Sequence, residues 1–143
     1  MTIARILANK GSDVATISCD APIAEAVDAL GGRRIGALLV IDGGEVAGIF
    51  SERDLIYSLR EHGAQVLDWA VSRAMTSPAI HVTPDTAVLS ALALMTQRRI
   101  RHLPVVDSDG ALKGIVSIGD LVKHRIDRIE SEAEAMRSYI QSA

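Results

Sequence analysis

An internal duplication is the feature of this sequence that most constrains its fold. Residues 15–55 and 80–121 keep register at an offset of about 65 residues, with one extra residue in the second copy. Strand-like runs, turns and helix-like runs recur in the same order in both copies. Such a period is typical of two copies of one supersecondary unit that bury apolar faces against each other. The order strand–helix–strand–strand–helix, read twice, predicts an α/β fold.

Each copy closes on the same short motif. Gly48-Ile49-Phe50-Ser51-Glu52-Arg53-Asp54 returns as Gly114-Ile115-Val116-Ser117-Ile118-Gly119-Asp120. Its Ser and Asp fall on the first turn of a predicted helix, three residues apart and so on one face. Unpaired N–H groups at a helix start favour anions, and a carboxylate can accept two hydrogen bonds from a vicinal diol. The duplicated pattern indicates nucleotide binding, although a simple helix cap explains either copy taken alone.

The apolar patterns predict the elements around these motifs. We expect helices or helical turns at residues 3–10, from Asp20-Ala21-Pro22 to Gly31-Gly32, from Ser51 to about His62, at 66–75, from Thr83-Pro84-Asp85 onward and from Ser117 onward. We expect strands at residues 14–18, 36–41, 45–50, 79–82, 103–106 and 111–116. The continuous apolar run at 36–41 favours a strand buried on both faces.

Composition argues against several functional classes. No apolar run approaches the roughly 18 residues that span a bilayer, and the single cysteine, Cys19, fits a reducing compartment, so we expect a cytoplasmic protein. A net charge of −3 argues against nucleic acid as a partner. The residues His62, His81 and His124 lack metal-ligand spacing. A Walker loop, a dinucleotide-binding glycine motif and a nucleophile elbow are all missing from the sequence.

The C-terminal segment carries a pattern that the repeats do not need. Apolar residues alternate in steps of four and three, with polar residues between them, at Val122, Ile126, Ile129, Ala133, Met136 and Ile140. This spacing is typical of a heptad seam. Two interpretations stay open: a helix that packs back on its own domain, or a seam between two copies in a homodimer.

The two motif-bearing copies resemble the cystathionine-β-synthase (CBS) domain, and a tandem pair of them resembles a Bateman module. Ile100-Arg101-His102-Leu103-Pro104-Val105-Val106-Asp107 and Gly36-Ala37-Leu38-Leu39-Val40-Ile41-Asp42 add to this resemblance. It implies two β-α-β-β-α motifs related by a pseudo-twofold axis, followed by a C-terminal helix. We therefore expect a first motif with its N-terminal segment at 1–65, a second motif at 66–124 and a helical extension at 125–143.

The resemblance also implies a function. Family members bind adenosine-containing ligands, such as AMP, ADP, ATP, S-adenosylmethionine or NAD, in two clefts between the motifs, and they sense or regulate without catalysis. It places ribose hydroxyls on Asp54 and Asp120, and a phosphate or ribose oxygen on Ser51 and Ser117. Residues of the partner motif are expected to complete each cleft: Lys10, Ala15, Ile35 and Gly36 for Asp120, and Met75, Ile80, Ile100 and Arg101 for Asp54.

The copies differ in ways that bear on the ligand. Arg101 and His102, at a phosphate-binding position of the family, stand where the first copy has Gly36 and Ala37, and Arg53 is matched by Gly119. The clefts are therefore expected to differ in charge. No cofactor beyond the nucleotide is expected, and any output would act through oligomeric state or on a protein target in trans. The alternatives are a ligand-independent scaffold and an enzyme that uses the clefts.

Overall fold

The computed structural model describes residues 1–11 and 13–142. Its α-helices are Ile3–Lys10 (α1), Ile23–Arg33 (α2), Glu52–His62 (α3), Val88–Arg98 (α4) and Ile118–Ser142 (α5). Its strands are Thr16–Ser18 (β1), Ala37–Asp42 (β2), Glu45–Ser51 (β3), His102–Val106 (β4) and Leu112–Ser117 (β5). Two short 3₁₀ helices lie at Ala64–Asp68 and Val71–Arg73. The α/β class is confirmed, and helix, strand, strand and helix follow in the same order in both repeats.

The chain divides into two compact units, each made of one repeat and the segment that precedes the other repeat. One unit is Asp13–His81, and the other combines Met1–Ser12 with Val82–Ala143. The N-terminal segment, which the predicted boundaries group with the first repeat, therefore lies with the second. Backbone hydrogen bonds hold it there, from Ile3 N–H to the Thr86 carbonyl at 2.9 Å and from Val88 N–H to the Met1 carbonyl at 3.1 Å.

Backbone hydrogen bonds likewise hold the linker that precedes the second repeat within the Asp13–His81 unit. Ile23 N–H donates to the Trp69 carbonyl, and Val71 N–H donates to the Ala21 carbonyl, both at 2.8 Å. These bonds draw the chain at Trp69 and Ala70 out of helical geometry. For this reason the helical segment expected at residues 66–75 is not one continuous helix but two 3₁₀ helices.

The five strands form two sheets, one in each unit. In the Asp13–His81 unit, β2 pairs parallel with β1 and antiparallel with β3, and in the other unit β4 pairs antiparallel with β5. The residues Ala37, Leu38, Leu39 and Val40 of β2 are all buried, which agrees with a strand covered on both faces. In each antiparallel pair, the second strand carries the Gly and the Ser of the motif and leads directly into the next helix.

The strand expected at residues 79–82 reduces to a single bridge. Val82 lies parallel to Val105, with bonds from Val82 N–H to the Pro104 carbonyl at 3.0 Å and from Val106 N–H to the Val82 carbonyl at 2.9 Å. The next N–H, that of Thr83, already donates to the Thr86 hydroxyl at 3.1 Å. The chain therefore turns toward α4 at once, and the ladder does not extend.

Helix α2 does not end at Gly31-Gly32, as the glycines predict. It continues to Arg33, and Arg34 takes the left-handed conformation with φ 54° while its N–H caps the Leu30 carbonyl. Arg99 ends α4 in the same way, with φ 55°, although Thr96 and Gln97 stand where the first repeat has its glycines. Both repeats therefore end this helix at a left-handed Arg, whether or not glycines precede it.

Each unit has its own buried core. In Asp13–His81 the core cluster is Ile17, Ile23, Ala26, Leu30, Leu38, Val40, Phe50, Val66 and Val71. The other unit buries Ile3, Ile6, Val82, Val88, Ala91, Met95, Leu103, Val105, Val116 and Leu121. Between residues 1 and 142, position 12 aside, we find no helix with the length and apolar character needed to cross a bilayer.

Candidate functional site

The first Ser–Asp motif lies where β3 runs into α3. Ser51 is the N-cap of α3, and its hydroxyl accepts from Asp54 N–H at 3.3 Å. In return, Asp54 Oδ2 accepts from Ser51 N–H at 2.9 Å, which completes a capping box. The helix-cap interpretation of this pair is thus what the structure shows directly. Because a carboxylate offers about four lone-pair positions, the cap does not exhaust Asp54 as an acceptor.

Thr76 from the linker completes this first motif. Its hydroxyl donates to Asp54 Oδ1 at 3.0 Å, so both carboxylate oxygens of Asp54 accept hydrogen bonds. The backbone of Thr76 is fixed by two bonds with Ile49, at 2.9 and 2.8 Å. Gly48 makes this approach possible, because a Cβ at that position would lie 2.5 Å from the Thr76 carbonyl oxygen. The resemblance points to Met75 here, and sequence reasoning misses Thr76.

The second motif has the same cap at the junction of β5 and α5. Asp120 Oδ2 accepts from Ser117 N–H at 2.8 Å, and Ser117 Oγ accepts from Asp120 N–H at 3.1 Å. Lys10 takes the place that Thr76 has in the first motif. Its ammonium donates to Asp120 Oδ2 at 2.6 Å and to the Ile115 carbonyl at 2.8 Å. Lys10 and Asp120, which the resemblance assigns to one cleft, are therefore in contact, and their use by a ligand stays a prediction.

The environment of Asp120 favours its charged form. Burial by itself would raise the pKa of this carboxyl, but the hydrogen bond from Lys10 and that from Ser117 N–H outweigh it and hold the pKa below its usual range. The hydrogen bonds from the Lys10 ammonium and from Ser117 N–H both end on Asp120 Oδ2, whereas those from Ser51 N–H and the Thr76 hydroxyl are divided between the two carboxylate oxygens of Asp54.

A cavity of about 380 Å³ adjoins the Lys10–Asp120 pair inside the same unit. It is lined by Ile6, Asn9, Lys10, Asp120, Lys123, His124 and Asp127. His124 Nε2 is buried and has no hydrogen-bond partner in the described part of the chain. Sequence reasoning misses His124 at this place, although its spacing of four from Asp120 on the predicted helix puts both residues on one face.

Gly36 and Arg101 hold equivalent positions in the two units. The Gly36 carbonyl accepts from Glu52 N–H at 3.1 Å, and the Arg101 carbonyl accepts from Ile118 N–H at 2.8 Å. Each therefore lies at the start of the helix that carries the Asp of its own repeat. His102 follows in β4, directly opposite Ser117. The use of these residues by the other repeat, which the resemblance implies, stays a prediction.

The remaining predicted site residues are spread over both units. Ile35 and Gly36 line a cavity of about 530 Å³ with residues of α2 and α3. Ala15 and Ile80 are half-buried, and the Ala15 carbonyl accepts from Leu39 N–H at 3.0 Å. Elsewhere, Arg53 and Gly119 lie on the first turns of α3 and α5, and Ile100 is half-buried after the end of α4.

Groups suited to covalent or metal chemistry are scarce in the described residues. Burial, followed by the nearby carboxylates of Asp20 and Asp42, raises the pKa of the Cys19 thiol. A thiol that stays protonated is a weak nucleophile. Across residues 1–11 and 13–142, no group of three or more His, Cys, Asp or Glu side chains is placed to hold a metal ion.

Comparison with known proteins connects this geometry to one family. The family model for the CBS domain matches residues 7–61 and 71–127. The CBS domain-containing protein CBSX3, mitochondrial, of Arabidopsis thaliana is 36% identical, over 98% of this chain and 72% of its own length. The predicted family is therefore confirmed.

Two solved structures extend the comparison to the fold. The crystal structure of the CBS-domain containing protein ATU1752 from Agrobacterium tumefaciens is similar with a TM-score of 0.84 and 40% identity, over 87% of this chain and 99% of that one. The structure of CBSX2 in complex with AMP is similar with a TM-score of 0.72 and 25% identity, over 88% of this chain and 96% of that one.

Proposed function

The chain belongs to the CBS domain family and carries two of these domains in tandem, and from this premise we propose that it is a regulatory module that binds an adenine nucleotide at its Ser–Asp motifs. The observation that carries the proposal is the repeated Ser–Asp pair at a strand-to-helix junction, beside a segment from ahead of the other repeat. The AMP complex of the related CBSX2 supports this ligand class.

Asp120 is the stronger of the two ribose acceptors. Its pKa is lowered, and the Lys10 ammonium lies 2.6 Å from its Oδ2. A diol that donates to Asp120 would therefore meet a charged acceptor, and Lys10 would offer a cation to a nearby phosphate. At Asp54 a ligand would share Oδ1 with the Thr76 hydroxyl, which brings no positive charge to the site. We infer that AMP, ADP, ATP or an NAD-type ligand binds first at Asp120.

Calorimetric titration with AMP, ATP, NAD and adenosine tests this proposal. A ligand present at 100 times its Kd raises the free energy of unfolding by about 2.7 kcal/mol, so a thermal shift should accompany binding. Asp120→Asn keeps the shape of the side chain but removes its charge, and it should weaken binding about tenfold or more. Asp54→Asn is the matched control and should change the first binding event much less.

A ligand-independent scaffold is the second candidate, because both Ser–Asp pairs already serve as helix caps. For a scaffold, AMP, ATP and NAD at millimolar concentration would leave the melting temperature unchanged. An enzyme would instead convert the bound ligand, whereas we expect mass spectrometry to recover it intact. The regulatory proposal fails if no adenine ligand binds, or if Asp120→Asn binds as tightly as the unchanged protein.

Self-association is the second part of the proposal. The seam residues of α5 are exposed along most of the helix, with exposed fractions of 42% at Val122, 49% at Ile129 and 65% at Ile140. This finding disfavours a helix that packs back on its own unit and favours a homodimer. Nucleotide binding could then regulate a separate target protein through the dimer, because that target would bind the dimeric form.

A further inference from the structure

Helix α5 presents a continuous apolar stripe along its exposed length. The stripe consists of Val122, Ile126, Ile129, Ala133, Met136 and Ile140, and all six side chains are exposed. Helix α5 runs unbroken from Ile118 to Ser142. In heptad notation Ile126, Ala133 and Ile140 occupy a positions, and Val122, Ile129 and Met136 occupy d positions. Such a stripe on an exposed helix needs a partner helix to leave water.

The charged residues beside the stripe restrict how a second copy of α5 could pair. Arg125 and Glu132 occupy g positions, and Glu130 and Arg137 occupy e positions. In a parallel, in-register pair each g residue faces the e residue five positions later in the partner. Arg125 would then face Glu130, and Glu132 would face Arg137. All four of these contacts join opposite charges, and all six apolar layers are used.

An antiparallel pair can either use all six apolar layers or join opposite charges at the e and g positions, but not both. The antiparallel register that uses all six layers brings Glu130 opposite Glu130, Glu132 opposite Glu132, and Lys123 opposite Arg137. Like charges at these positions are destabilising. A second antiparallel register, centred between Asp127 and Arg128, joins opposite charges but leaves the apolar residues beyond Ala133 without a partner. Parallel pairing alone meets both conditions.

We propose that α5 pairs with α5 of a second copy as a parallel, in-register coiled coil. The inference rests on the self-association proposed above and not on nucleotide binding. Glu132 already accepts from Arg128 Nε at 3.1 Å within its own helix, and its carboxylate has capacity for a further bond from Arg137 of a second copy. The apolar stripe of one copy therefore packs against the same stripe of a second copy, and a twofold axis parallel to the helices relates the two.

Disulfide trapping tests the orientation, because the sequence has a single cysteine. In a Cys19→Ser background, Met136→Cys places one thiol in a d layer, at a Cα separation suited to a disulfide in the parallel pair. In either antiparallel register the two copies of residue 136 lie about 15 Å or more apart along the axis. Ala135→Cys, which faces away from the stripe, is the matched control.

We expect oxidation to yield a linked dimer with Met136→Cys and little with Ala135→Cys, in the absence of nucleotide. Equal linkage of both variants, or none for Met136→Cys in a protein that sedimentation shows to be dimeric, would overturn the parallel seam but leave the homodimer. A monomer at tens of micromolar would overturn self-association itself. Nucleotide titration of the same samples reports separately on the regulatory proposal.

A charge exchange provides an independent test by sedimentation. Arg125→Glu alone and Glu130→Arg alone each create two like-charge contacts, and each should weaken the dimer about tenfold. The double variant restores opposite charges only in the parallel pair, and it should regain most of the lost affinity. In the second antiparallel register the double variant places a glutamate at position 125 opposite Glu132 and an arginine at position 130 opposite Lys123. Dimerisation weaker than in either single variant would therefore refute the proposal.

Discussion

Alanine in place of Gly48 or Gly114 should have unequal effects, although the two glycines occupy the same position of the repeat. A Cβ at Gly48 would lie 2.5 Å from the Thr76 carbonyl oxygen and 3.0 Å from Met75 Sδ. A Cβ at Gly114 would lie 2.8 Å from Leu7 Cδ2, the end of a flexible side chain. The first contact is with backbone, and the second is with a group that can rotate away.

The expected magnitudes follow from what must move. At Gly48 the Thr76 backbone would have to shift, and that strains two hydrogen bonds to Ile49, at 2.9 and 2.8 Å. Overpacking costs about 1–3 kcal/mol, and weakened hydrogen bonds add about 1 kcal/mol, so Gly48→Ala should cost about 2–4 kcal/mol. At Gly114, rotation of Leu7 and the lower chain entropy of alanine leave a net effect of about 1 kcal/mol or less.

Urea denaturation at 25 °C measures both free energies of unfolding. The reasoning predicts that Gly48→Ala has the lower midpoint by a clear margin. If the two variants lose equal stability, or if Gly114→Ala loses more, close backbone approach is not the reason for glycine in the first motif.

Three further predictions concern the two motifs and the tail. Lys10→Met should lower the free energy of unfolding by about 1 kcal/mol at pH 7. Because the folded pKa of Asp120 lies below its unfolded value of about 3.9, the difference should shrink as the pH falls below about 4 and be lost as it passes through the folded pKa. A difference that is as large at pH 3 as at pH 7 would contradict the ion pair. Arg101→Ala should weaken AMP binding at the Asp54 motif about tenfold or more and leave adenosine binding there almost unchanged in calorimetry. Truncation after Asp127 should abolish the dimer in sedimentation and leave nucleotide affinity intact; lost affinity with a preserved dimer would place the tail in the site.

Local sequence patterns were sufficient for most of the elements and for the motifs. The buried run of β2 could be read from consecutive apolar residues, and the Ser–Asp pairs from their spacing at a strand-to-helix junction. Both depend on neighbours within a few residues, where periodicity and hydrogen-bond geometry are decided by the chain itself. For the same reason the duplicated order was enough to predict the α/β class and the family.

Local patterns failed where other parts of the chain competed for the same backbone groups. Gly31-Gly32 predicts a helix end, but the end is set four residues after Leu30 by Arg34, as it is at Arg99 without glycine. A helical linker is also predicted, yet the Trp69 carbonyl accepts from Ile23 N–H at the start of α2, and Val71 N–H donates to the Ala21 carbonyl two residues before it. In both cases the local conformational propensity was weaker than the backbone hydrogen bonds that formed in the folded chain.

The partners of the two Asp residues in the candidate site are determined by the tertiary structure. The sequence by itself identified Asp54 and Asp120, but the fold decided that Thr76 meets the first and that the ammonium of Lys10, 110 residues away, meets the second. It also decided that the α5 stripe faces solvent. The physical reason is that repeat spacing determines which residues share an element, whereas the closure of chain segments far apart in sequence determines which charges and apolar faces find a partner.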